Sequence, residues 1–291
     1  MRLLTVLTAL LISSLTSPLL RAEVFTFTAI PDQDETRLQE RFDKVANYLE
    51  RELGVPVRYL PVKSYPAAVT AFRNNQVQLA WFGGLSGVQA RQLVPGSKAI
   101  AQGYEDQFFK SYFIAHKSSG LLKHTNPGQF PDAIRDKTFT FGSKGSTSGR
   151  LMPEYYIRQH FQAAPQQVFS RVGFSGDHSR TIALVQAGAY QVGAVNYQVW
   201  ETALAEGKVD TQQVGVIWQT PSYPDYQWTV RGDADQAFGA GFTARLQRTL
   251  LALQDPEILA TFPRQSFVTA SNDDFAPVEA TAIAIGLLDA E

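Results

Sequence analysis

From residue 23 onward, short apolar runs alternate with stretches in which apolar residues recur every three or four positions. Residues 24–30, rich in Phe, Thr and Val, read as a buried strand. Leu38, Phe42, Val45, Leu49 and Leu53 then share one helical face, and Gly54 is placed to end that helix. Residues 57–62 form a second predicted strand. Ser64 can cap a helix carrying Ala68, Val69 and Phe72, with Pro66 tolerated in its first turn. A third strand, 77–82, stops at Gly83-Gly84. The alternation continues with strands near 98–104, 112–116, 137–141, 191–195 and 214–219. Helices are expected over 151–161, 181–187, 197–206 and 242–253. Such βα alternation with short connections predicts an α/β protein whose sheets, parallel or mixed, carry helices on both faces.

The first 22 residues stand apart. Arg2, an apolar stretch from Leu3 to Leu15, the helix-breaking Pro18 and the small Ala22 make the layout of a secretory signal peptide. An apolar N-terminal helix of the folded domain is the competing reading. No second long apolar run follows, so the mature chain is expected to be soluble. It contains no cysteine, which removes disulfides, thiolate catalysis, cysteine metal sites and the cysteine of a lipid anchor. An exported, unanchored protein of this kind suits the periplasm. The formal net charge is −1, and no Lys/Arg cluster stands out. Nucleic acid is therefore not an expected partner, because a phosphate backbone calls for a basic surface.

At 291 residues the chain has room for about two domains. Open parallel sheets bind ligands beyond the carboxyl ends of their strands. Two such sheets joined by crossovers place a cleft between lobes. With 112–116 and 214–219 as crossovers, one lobe would comprise 23–113 plus 221–291 and the other 114–220, after a signal peptide at 1–22.

Chemistry concentrates in Phe141-Gly142-Ser143-Lys144-Gly145-Ser146-Thr147-Ser148-Gly149-Arg150. This segment follows a strand and precedes the apolar run Leu151, Met152, Tyr155, Tyr156. Three hydroxyls between glycines at a helix start suit an oxyanion, since the first N–H groups lack intrahelical partners and the dipole is positive there. The bland alternative is that Ser146, Thr147 and Ser148 merely cap the helix. Pro153 fits imperfectly, because it removes one early intrahelical bond. No P-loop or nucleophile elbow is present.

That segment, with Pro153 and Tyr155-Tyr156 behind it, resembles the periplasmic phosphate/phosphite/phosphonate-binding family of ABC transporters, and within it the branch of selenate-binding proteins. The resemblance extends through Ser64-Tyr65, Ala80-Trp81-Phe82-Gly83-Gly84, Ser175-Gly176-Asp177-His178, Gly193-Ala194-Val195-Asn196-Tyr197 and Ile217-Trp218-Gln219-Thr220-Pro221. It implies a type 2 periplasmic-binding fold in which Ser146, Thr147, Ser148 and Gly149 hold the anion. It also implies that His178 donates from a neighbouring loop and Tyr65 from the other lobe. A bound dianion would favour the charged imidazole, with Asp177 or another acceptor fixing its tautomer. A solvated loop histidine is the alternative. His116, His124 and His160 show no metal-ligand spacing, and no metal or cofactor is expected.

The remaining candidates are Trp81, Phe82 and Gly83 at the end of the third strand, with Asn196, Tyr197, Tyr223 and Asp225. Aromatics here, including Phe109, would wall off water. The aminoalkylphosphonate-binding pattern places a carboxylate in the segment 193–197; this chain has none there, so a ligand without an amine is expected. Asp225 is either a turn residue or a site acid. A lone acid accepts a hydrogen bond from phosphite, phosphate or a phosphonate that keeps a proton, and repels selenate or sulfate, which have none. The leading expectation is a monomeric binding protein that delivers a small oxyanion to an inner-membrane permease. Selenate or selenite delivery, a sensing module and a periplasmic hydrolase built on His178 and Asp177 are the alternatives.

Overall fold

The computed structural model describes residues 23–123 and 129–289; the expected signal peptide and His124 lie outside the described residues. Its strands in chain order are β1 (Phe25–Ala29), β2 (Val57–Tyr59), β3 (Leu79–Phe82), β4 (Lys98–Gly103), β5 (Ser111–His116), β6 (Thr138–Phe141), β7 (Arg171–Phe174), β8 (Val192–Asn196), β9 (Val214–Gln219), β10 (Gln227–Val230) and β11 (Phe267–Thr269). They build two mixed sheets, ordered β11-β4-β10-β3-β1-β2 and β7-β6-β8-β5-β9, one in each of two lobes. The parallel core of each sheet is what βα alternation produces. Antiparallel members arise where the chain changes lobes. β10, returning from the second lobe, inserts between β3 and β4 and runs against both.

Local signals explain most element boundaries. Asp34 caps helix Glu35–Leu53 by accepting from Arg37 N–H, and Gly54 ends it at φ 68° in the left-handed region. Its inward face carries the Leu38, Phe42, Val45, Leu49 and Leu53 series, all buried. Ser64 caps helix Tyr65–Arg73 through Ala67 N–H, 3.2 Å. The first-lobe core is strongly aromatic: Phe27, Phe42, Trp81, Trp228 and Phe262 meet edge-on or tilted at 5.1–6.3 Å.

β5 and β9, read from sequence as the crossovers, pair with each other inside the second sheet. The chain instead passes between lobes through the segments 104–110 and 220–226. These two segments run antiparallel, joined by reciprocal 2.9 Å hydrogen bonds between Phe109 and Tyr223. Beside them, Arg264 clamps Asp106, with Nε 3.0 Å from the carboxylate and Nη2 on its other oxygen. Both side chains are almost fully buried. Arg264→Ala would leave Asp106 as an unpaired buried acid. Such losses cost about 3–5 kcal/mol. Urea denaturation should therefore show a destabilisation of that order; a change under 1 kcal/mol would show the pair to be dispensable.

Candidate oxyanion site

The loop after β6 reverses direction in a wide turn. Residues Thr147–Leu151 form a single π-helical turn, followed at once by α-helix Met152–Phe161. This arrangement resolves the awkward Pro153. A regular helix would pair residue 153 with the carbonyl of Gly149, but proline has no N–H to give. Gly142 N–H donates to that carbonyl instead, 2.8 Å. The Ser148 carbonyl is likewise met from outside the helix, by Ser111 Oγ at 2.7 Å. π-turns are frequent at functional sites. Here the turn directs the first amides of the helix toward the other lobe. Ser146 Oγ caps Gly149 N–H, 2.9 Å, while the amides of Thr147 and Ser148 have no acceptor among the described residues.

The hydroxyl of Thr147 reaches across the cleft. It accepts from Leu85 N–H, 3.0 Å, at the start of helix Gly84–Leu93, and lies beside Asp225. Asp225 Oδ1 accepts from Gly84 N–H, 2.8 Å. Its Oδ2 is buried without a partner. Burial pushes the Asp225 carboxyl up to about 7, against an ordinary value near 4. Gly83 makes this junction possible: a Cβ there would lie 3.1 Å from Asp225 Oδ1 and 3.4 Å from Thr147 Oγ1.

His178 begins helix His178–Gln186 and is fully buried. Its Nδ1 accepts from Asn196 N–H, 3.3 Å, so the proton of the neutral ring sits on Nε2. Nε2 points at Ser148 Oγ, a loose contact at 3.5 Å. The tautomer is thus fixed by a donor, not by the acceptor the sequence suggested. Asp177 caps its own helix through Arg180 N–H, 2.7 Å. Burial holds His178 down to about 4, so the ring stands in the cleft as a neutral donor; a bound anion would have to overcome that desolvation before the ring could charge. Gly149 lets it approach, because a Cβ there would meet His178 Cε1 at 3.0 Å.

From the first lobe Tyr65 adds a buried hydroxyl with no partner in hydrogen-bond geometry. Burial holds it protonated, well above the usual phenol range. Tyr223 donates to Ser111 Oγ, 2.6 Å, and so supports the Ser148 carbonyl from behind. Asn196 caps the following helix with its Oδ1 and donates through Nδ2 to Tyr226, 3.0 Å.

The structure therefore brings together Ser146, Thr147, Ser148, Gly149, His178, Tyr65, Gly83, Asn196 and Asp225, with Tyr223 one layer behind. It places three other candidates elsewhere. Phe82 is core, packed edge-on against Phe72. Trp81 is core too, stacked under Tyr226 at 5.5 Å. Tyr197 is half-buried against Phe109 and Tyr112, beneath Lys110. Two residues were missed, Asp32 and Tyr226. Tyr226 Oη donates to Asp32 Oδ2, 2.8 Å, and Asp32 Oδ1 is buried without a partner. The signal for Asp32 was its place just beyond the carboxyl end of β1, the position from which open sheets present ligand groups.

Comparison with known proteins decides the family. The model for the family described as ABC transporter, phosphonate, periplasmic substrate-binding protein matches residues 27–275. The chain belongs to this family. It is 41% identical over 277 residues to the probable ABC transporter phosphite-binding protein PhnD1 of Prochlorococcus marinus, covering 93% of each chain. The phosphonates-binding periplasmic protein of Escherichia coli is 24% identical, over 73% of this chain and 63% of that protein. The crystal structure of Prochlorococcus marinus PhnD1 in complex with methylphosphonate superposes with a TM-score of 0.83 at 39% identity, over 91% of this chain and 99% of that one. The protein is thus a periplasmic substrate-binding component of an ABC importer, with the two-lobed fold expected from its sequence. Among the described residues no helix is long and apolar enough to cross a membrane.

A raised folded-state carboxyl pKa favours the protonated form. Stability contributed by neutral Asp225 is fully present below the unfolded value near 4 and is lost as pH rises to about 7. At roughly 1.4 kcal/mol per unit, the loss approaches ~4 kcal/mol. Asp225→Asn should remove this part of the slope, so that the variant gains on the wild type between pH 4 and 7 in ligand-free thermal melts. Parallel pH profiles would show that Asp225 does not titrate there.

Proposed function

We propose that this chain captures a small phosphorus oxyanion that keeps one proton near neutral pH, with phosphite and methylphosphonate as the leading members. One observation carries the reading. An unpartnered carboxylate oxygen, Asp225 Oδ2, belongs to the same cluster as several donors: the Thr147 and Ser148 amides, His178 Nε2 and the Tyr65 hydroxyl. Donors in this arrangement satisfy P–O⁻ groups, and Asp225 accepts the hydrogen bond of the P–OH group. The phosphite-binding relative and the methylphosphonate complex agree with that class. Sulfate and selenate have no proton to give and repel Asp225 whenever it is ionised. In this reading Ser146, Thr147, Ser148, Gly149 and His178 act from one lobe and Tyr65, Gly83 and Asp225 from the other. Ligand would draw the lobes together through contacts that exist only when both are present.

The protein acts, in this proposal, as an unanchored monomer exported by residues 1–22, delivering its ligand to a permease and catalysing no reaction. Neither a cofactor nor nucleic acid is a partner. A second reading, an aminoalkylphosphonate, draws on the unpaired Asp32 Oδ1, which could receive an ammonium.

Titration calorimetry at pH 7 tests these statements. Phosphite and methylphosphonate should bind at least 100-fold more tightly than sulfate or selenate, and Asp225→Asn should narrow that gap. Selenate binding as tightly as phosphite would overturn the class. A 2-aminoethylphosphonate that outbinds ethylphosphonate would establish the second reading. Ser146→Ala and Thr147→Ala should each weaken binding by roughly 1–3 kcal/mol, the usual loss for a hydrogen bond to charge. Turnover of chromogenic phosphate esters would contradict the non-catalytic role.

A further inference from the structure

Arg41 lies on the inward side of helix Glu35–Leu53 and is 3% exposed. The rings of Phe42 and Phe262 flank its guanidinium at 5.8 and 5.2 Å. The arginines nearby are matched: Arg37 pairs with Glu206 at 2.6 Å, and Arg264 with Asp106. Arg41 joins no ion pair among the described residues, and its buried Nε has no hydrogen-bond partner. A buried cation without a counter-charge is costly, and it calls for an anionic group.

Two more side chains beside the same space are incompletely met. Asp32 and Gln198 are each over nine-tenths buried, and neither Asp32 Oδ1 nor Gln198 Oε1 has a partner. Gln198 belongs to helix Tyr197–Ala205 of the second lobe and gives its Nε2 to the Pro263 carbonyl, 3.1 Å. Arg41, Asp32 and Gln198 all line one cavity of about 490 Å³. None of Tyr65, Ser146, Thr147, Ser148, His178 and Asp225 lines it, so this space is not the oxyanion cage. It runs from a half-exposed rim at Arg37 and Glu206 to a buried floor at Arg41.

We propose that this cavity is a second ligand site, for a small molecule of the amino-acid class that carries a carboxylate and an ammonium group together. The carboxylate lies against Arg41, whose planar fork suits it. The ammonium is held by Asp32 Oδ1 and Gln198 Oε1, which can only accept. The lining carries four carboxylates and four bases, so a ligand of zero net charge suits it better than a second inorganic anion. An ammonium brought by a ligand seated in the cage would leave Arg41 unmatched; a zwitterion here meets all three groups at once. Because both lobes share the occupant, its binding favours the closed form.

The test is titration calorimetry on the full protein with glycine, L-alanine, β-alanine and L-glutamine, first with no oxyanion present. At least one should bind, roughly tenfold or more tighter than acetate or methylammonium, which each carry half of its charge. Arg41→Met keeps the packing on Phe42 and Phe262 and removes the cation. It should weaken that binding by about tenfold or more without lowering the ligand-free melting temperature. A saturating amino acid should also tighten methylphosphonate about threefold in the wild type and not in Arg41→Met. No binding by any of the four, equal binding by acetate, or an Arg41→Met variant that binds like the wild type overturns the site. Should Arg41→Met fail to fold, Gln198→Leu is measured in its place and should weaken binding about fivefold. An amino acid that binds where methylphosphonate does not leaves this site standing and rejects the oxyanion reading instead.

Discussion

Thr147 Oγ1 accepts a hydrogen bond from Leu85 N–H of one lobe and lies beside Asp225 of that lobe, while its backbone begins the helix of the other. The site is built around this contact. It places the start of helix Gly84–Leu93 opposite the π-turn, so that two positive dipole ends face a common space; Asp225 and Thr147 take the Gly84 and Leu85 amides, while those of Thr147 and Ser148 have no acceptor among the described residues. Such a convergence suits a negative charge, and Asp225, which burial makes reluctant to ionise, leaves it largely unmet. The junction tolerates no bulk, which is why glycine occupies position 83.

The other polar groups follow from the same geometry. His178 enters as a neutral donor because Asn196 N–H occupies its second nitrogen and because no water reaches it. Tyr65 stays protonated for the same reason. Within a dry enclosure each donor counts for more than it would in solvent. In the proposed function, selectivity rests on counting protons: several donors around the Asp225 acceptor match an anion that has kept one proton.

Much of this was legible in the chain because it depended on local rules. The face made by Leu38, Phe42, Val45, Leu49 and Leu53, the cap at Ser64, the stop at Gly54 and the hydroxyl-rich turn at 146–148 are all short-range signals. What escaped depended on contacts between distant segments. β10 has no alternation to betray it, being buried on both faces between β3 and β4. The exchange of lobes at 104–110 and 220–226 is set by the pairing of β5 with β9, about a hundred residues apart, which pattern alone cannot report. Trp81 and Phe82 were assigned to the cleft from their position at the end of a strand. In a sheet covered on both faces, strand-end aromatics are just as readily drawn into the core. Asp32 and Tyr226 were overlooked because their significance lies in each other, 194 positions apart.

The two segments that connect the lobes lie side by side, stapled by Phe109 and Tyr223 and braced by the buried Arg264–Asp106 pair. Two parallel rods fastened together resist twisting and sliding, yet still flex across their common width. Such a joint favours opening of the halves about one axis, in the manner of a book on its spine. A visiting ion must enter from the fore-edge, and whatever engages the outer covers senses occupancy as a single angle.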